Sequence, residues 1–189
     1  MTTTEVKQHL RALMNGPVSQ SLRSMGLNYR IIFGVEWPRL IELSNEIGKD
    51  HELAQALWKE DIRECKLLAA LIQPIETFYP EIADIWIESM KYPEEAQYVS
   101  MALFSKIPHI SEKVFEWIAR EEEMFQMCGF LTISRLFTPE SLLMPQSEAE
   151  FIDQANVAIS SKNISLAKAA QAALNKYQIC KSDATCDIN

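Results

Sequence analysis

Residues 51–72, HELAQALWKEDIRECKLLAALI, constrain this chain more than any other stretch. A charged patch lies between two apolar stripes, each with helical spacing. The run reads as two short helices meeting at a turn. Leu57-Trp58 closes the first, and Arg63-Glu64-Cys65-Lys66-Leu67-Leu68-Ala69 opens the second. A helix pair of this kind cannot bury its apolar face alone, and stacking on a neighbouring pair is the usual solution.

Helix punctuation recurs along the rest of the chain. Asn15-Gly16-Pro17 stops a first helix over about residues 3–14. Gly48 ends a helix that begins near Glu36, and Asp50 is a good N-cap for the next. Pro80 opens a helix whose apolar positions Ile82, Ile85, Trp86 and Met90 share a face. Tyr92-Pro93 starts another, and Ile110, Val114, Trp117 and Ile118 form a further stripe. Thr138-Pro139 caps a short turn, and Ser147-x-x-Glu150 has capping-box spacing before Phe151. A last helix runs from about Ser165 to Tyr177. Roughly ten or eleven helices result, joined by loops of about 2–8 residues. No stretch alternates with period two, and Gly is scarce at 5 residues, so an all-α fold is expected. The expected architecture is a solenoid of stacked helix pairs in one domain, residues 1–178; a compact orthogonal bundle is the alternative. Residues 179–189 read as a disordered polar tail.

Charge narrows the partners. The net charge is −8. Residues 1–66 hold nine Lys/Arg and nine Asp/Glu, whereas residues 67–189 hold nine and seventeen. Such a chain has no general attraction for nucleic acid, although a local basic groove is compatible with it. Cys65 and Cys128 sit in apolar helical runs and read as buried thiols. Cys180 and Cys186 fall in the polar tail, without redox or zinc spacing. His9, His51 and His109 are scattered, so neither a metal nor a cofactor is expected. No apolar run reaches the ~18–20 residues of a membrane span, and the first residues lack a signal-peptide core. A cytoplasmic location without membrane attachment is the expectation.

Three blocks carry a resemblance to a known family. The first is Asn28 to Pro38, NYRIIFGVEWP, in which Gly34 permits a tight bend and Pro38 suits a first helical turn. The second is Leu57 to Ala69, and the third is Leu166 to Tyr177, LAKAAQAALNKY. In order and separation they resemble the HEAT-like DNA alkylation-repair glycosylases. The resemblance implies a HEAT-like helical-repeat (ARM-type) fold and a site that cradles damaged DNA. It also implies aromatic side chains, two of them tryptophans, against the damaged nucleotide and its backbone, an aspartate near the glycosidic bond and an arginine on the phosphates. Those residue types suit the chemistry. Loss of an alkylated purine passes through an oxocarbenium-like sugar, which a carboxylate stabilises. Indole faces attract a cationic base, and arginine grips phosphate in a fork.

Matched by eye, this chain departs from the pattern at each of these positions. Pro93 stands for the first tryptophan, Gln97 for the aspartate, Met127 for the arginine and Ala172 for the second tryptophan. Asn175 stands for a further basic residue. A one-residue slip would let Glu94 or Glu95 offer the carboxylate. No Arg lies between Arg120 and Arg135, so a slip does not restore the arginine.

The expected function is therefore a divergent family member without glycosylase activity, acting as a helical binding module for protein or nucleic acid. The alternative is an active glycosylase with a rearranged site. Candidate nucleic-acid contacts are Arg30, Arg39, Lys59, Arg63 and Lys66, with Tyr92 and Tyr98 as stacking candidates. Trp58 and Glu64 are expected to pack and bond at the helix junction. Met124, Met127 and Met144 are expected to fill the core.

Overall fold

A computed structural model describes residues 1–186. Among these residues the chain forms eleven α-helices and two 3₁₀ turns, and no β-strand. An isolated parallel bridge joins Ile31 to Ile62. The helices fall into two compact units, Met1–Tyr79 and Pro80 onward.

The first unit contains α1 (Thr3–Ala12), α2 (Gly16–Ser24), α3 (Trp37–Ile47), α4 (His51–Trp58) and α5 (Arg63–Ile72). The junction read from the sequence is present: α4 ends at Trp58 and α5 begins at Arg63. Asp50 caps α4 through a 2.9 Å bond from the Leu53 N–H. Asn15-Gly16-Pro17 both follows α1 and starts α2. The Asn15 side chain accepts the Val18 N–H, and Pro17 occupies the first turn. Val6 and Leu10 of α1 and Leu53, Ala54 and Leu57 of α4 form part of the core. Along α5, burial runs unbroken from Arg63 to Ala70.

Three polar residues of that buried stretch are satisfied internally. Glu64 accepts the Phe33 N–H at 3.0 Å, the Gly34 N–H at 2.9 Å and the Arg63 guanidinium at 3.1 Å. Arg63 also donates to the Val35 carbonyl. Lys66 donates to the Trp58 carbonyl at 3.2 Å and lies 4.2 Å from the centroid of the Trp58 ring. These bonds tie the α4–α5 junction to segment 33–35.

The second unit contains α6 (Pro80–Ser89), α7 (Pro93–Ala102), α8 (Ser111–Ile118), α9 (Glu123–Leu136), α10 (Pro145–Ile159) and α11 (Ile164–Cys186). Helix α9 is central, packing on α6, α7, α8 and α11. At Gly129 it runs so close to α8 that an added Cβ would lie 2.6 Å from Ile118 Cγ1. Phe137 stacks among Phe151 and Tyr177 with centroids 5.2 and 4.9 Å away. Trp117 donates its indole N–H to Asp84 at 2.6 Å.

Several local expectations are corrected. On α6 the buried face is Ala83, Trp86 and Ile87, continued by Met90 just past the helix end, while Ile85 is exposed. Helix α10 starts at Pro145 rather than behind a Ser147 cap, because Pro145 takes the first turn. Met144 just before it is exposed, unlike Met127. Helix α11 continues past Tyr177 to Cys186, and Cys180 is buried with its thiol against the Phe137 carbonyl. Residues 187–189 of the expected tail lie outside the described residues.

Candidate functional site

Three helices of the second unit build one cleft of about 290 Å³. Helix α7 contributes Pro93 and Gln97, α9 Met127 and Leu131, and α11 Ser165, Lys168, Ala169 and Ala172. The four positions singled out by the resemblance, Pro93, Gln97, Met127 and Ala172, thus meet on one surface.

Local chemistry sets each wall. Helix α7 opens on Pro93, whose fixed φ suits a first turn. Glu95 is fully buried, and its carboxylate accepts the Lys91 and Tyr92 N–H groups just before the helix. That cap fixes where the helix begins. The first turn of α11 is held by Asn163, whose amide oxygen accepts the Ser165 and Leu166 N–H groups at 3.1 and 3.3 Å. Asn163 also donates to Glu123 on α9 at 2.8 Å, and Ser161 donates to the same carboxylate. Glu123 therefore clamps the α10–α11 turn and sets Ser165 and Lys168 against Met127.

The lining is apolar except for Gln97, Ser165 and Lys168. It holds no carboxylate, no guanidinium and no aromatic ring. Lys168 is exposed and makes no ion pair among the described residues. Glu95, an alternative source of a carboxylate, is committed to capping α7, and Glu94 is half-buried outside the lining.

The remaining candidates are dispersed. Arg63 and Lys66 are interior cations with the partners given above, a correction to their reading as surface contacts. Arg30, Arg39 and Lys59 are exposed in the first unit. Arg30 lies 3.9 Å from Glu60, and Arg39 pairs with Glu42 at 2.6 Å. A second groove of about 410 Å³ runs there between α1 and α3 and includes Arg39, Glu42 and Glu46. Tyr92 and Tyr98 are half-buried on and beside α7. Among the described residues, no group of three or more His, Cys, Asp or Glu could hold a metal ion, and no helix is long and apolar enough to cross a membrane. Sequence reading missed Lys168 as a cleft residue. The signal that could have found it was its place one turn before Ala172.

The family model for DNA alkylation repair enzymes matches residues 6–185. No curated protein matches the chain. One solved structure similar to it is from a family of proteins related to the HEAT-like repeat DNA glycosylases, with affinity for branched DNA structures. The two align with a TM-score of 0.85 at 18% identity, over 97% of this chain and 78% of that one. The likeness establishes a shared all-α HEAT-like fold.

Proposed function

The chain belongs to the DNA alkylation repair enzyme family, and we propose that it is a non-catalytic member that binds DNA without cleaving glycosidic bonds. The cleft lined by Pro93, Gln97, Met127 and Ala172 carries this reading. Glutamine is close to a carboxylate in size but has no charge to set against an oxocarbenium-like sugar. Methionine cannot grip a phosphate, and neither proline nor alanine presents a π face to a cationic base. One missing electrostatic group costs about 10²–10³ in rate. Losses within one site need not add, but here every expected contributor is replaced.

DNA is favoured over a protein partner by two features. The relative of shared fold has affinity for branched DNA, and the only charged side chain in the cleft lining is the cation Lys168. An apolar cleft with one cation and two neutral polar groups suits a neutral unpaired nucleotide better than an alkylated, positively charged one. Branched DNA presents such nucleotides at its junctions. The test is a titration of a labelled three-way junction and a linear duplex of the same sequence at about 50 mM salt. Tighter binding to the junction is expected, with steep weakening as salt rises. Equal and negligible binding of both would refute the reading.

A further inference from the structure

The cleft ends where its lining residues end, but the helical faces that build it continue. On α9 the lining residues Met127 and Leu131 lie four apart, and four residues further on the same face is Arg135. On α11 the face runs through Ser165, Lys168 and Ala172, and its next residue is Lys176. Helices α9 and α11 pack directly on one another. All three cations are exposed, and none has an ion-pair or hydrogen-bond partner among the described residues.

From Pro80 onward the chain holds nine Lys/Arg against sixteen Asp/Glu. Three other cations of this unit form local ion pairs: Lys113 with Asp84 and Glu116, Arg120 with Glu122 and Lys181 with Glu148. The cations on the cleft-forming faces of α9 and α11 are left unneutralised.

We infer that Arg135, Lys168 and Lys176 form a phosphate-binding track along α9 and α11, which holds the backbone on either side of a nucleotide seated in the cleft. The inference rests on the DNA-binding reading above. Lys168 and Lys176 are eight residues apart, about 12 Å along the axis, so they address separate phosphates. The track accounts for DNA affinity in an acidic chain. A short row of unpaired cations acts over a few Å, whereas the distant carboxylates are screened beyond about a Debye length. It also moves the expected contacts out of the first unit. There Arg63 and Lys66 are buried, and Arg39 is already paired.

The test is the salt dependence of junction binding by the full chain. Wild type is compared with Arg135→Gln, Lys168→Gln, Lys176→Gln and the triple variant. Arg11→Gln and Lys106→Gln serve as exposed controls off the track. Unchanged helical circular dichroism verifies folding, as expected for exposed positions. Each track substitution is expected to weaken binding and lower the slope of log K against log salt by about one, and the triple variant by about three. The controls are expected to keep the wild-type slope. If wild type binds the junction but the triple variant keeps both affinity and slope, the track is refuted and the DNA-binding reading survives. If wild type binds no DNA at low salt, both fall together.

Discussion

Glu64, fully buried on α5, accepts a 2.9 Å hydrogen bond from the backbone N–H of Gly34, thirty residues upstream. Its other oxygen accepts the Phe33 N–H, and Arg63 supplies the countercharge. Removing the carboxylate strands two buried donors and one buried cation. Glu64→Ala is expected to cost about 3–5 kcal/mol in urea unfolding, and Glu64→Gln about 2. A loss under about 0.5 kcal/mol for Glu64→Ala would show that the bond network contributes nothing.

Gly34 itself should not tolerate a side chain. Its φ is +76°, and an added Cβ would lie 2.2 Å from the Asn15 carbonyl oxygen and 2.6 Å from the Ser19 nitrogen. Both are backbone atoms that cannot swing aside. Gly26 offers the control, with φ +95° but open space around it. Gly26→Ala is expected to cost about 1 kcal/mol from backbone strain alone, and Gly34→Ala at least about 2–3. Equal losses would mean that the close approach to Asn15 is unimportant.

The two thiols read as buried should be chemically silent. Burial pushes the Cys65 thiol up to about 12, and the nearby Glu60 carboxylate adds to this. Burial likewise raises Cys128, whose sulfur lies 3.7 Å from that of Met90. The reactive thiolate is therefore scarce at pH 8. Peptide mapping after maleimide treatment should find neither residue labelled in the native protein, and both labelled in denaturant. Rapid native labelling of either would contradict its burial.

Much of the fold was legible because its signals are local. Asp50 at a cap, Pro80 and Pro93 at first turns and Gly48 past a helix end act within a few residues, and each marks a real boundary. Helix α2 was missed because its apolar stripe is short, Val18 and Leu22 one turn apart, and none of its residues is buried. The polar continuation of α11 concealed Cys180 for a related reason. Its burial depends on Phe137, 43 positions away in sequence. Arg63 and Lys66 misled for the opposite reason. Charge ordinarily marks a surface, and only the tertiary fold supplies the Val35 and Trp58 carbonyls that satisfy them. At the site, the replaced positions were readable one by one. That Lys168 joins them, with Arg135 and Lys176 beyond, depends on α9 packing against α11.

Whether this cleft breaks glycosidic bonds decides between a binding protein and an enzyme. The direct measurement is release of methylated purines from methylated duplex DNA by the purified chain, over a long incubation at high protein concentration. With Gln97 in place of a carboxylate and Met127 in place of a phosphate grip, release at the protein-free background is predicted. Robust turnover, abolished by Glu94→Gln, would contradict it and place the catalytic carboxylate on the first turn of α7.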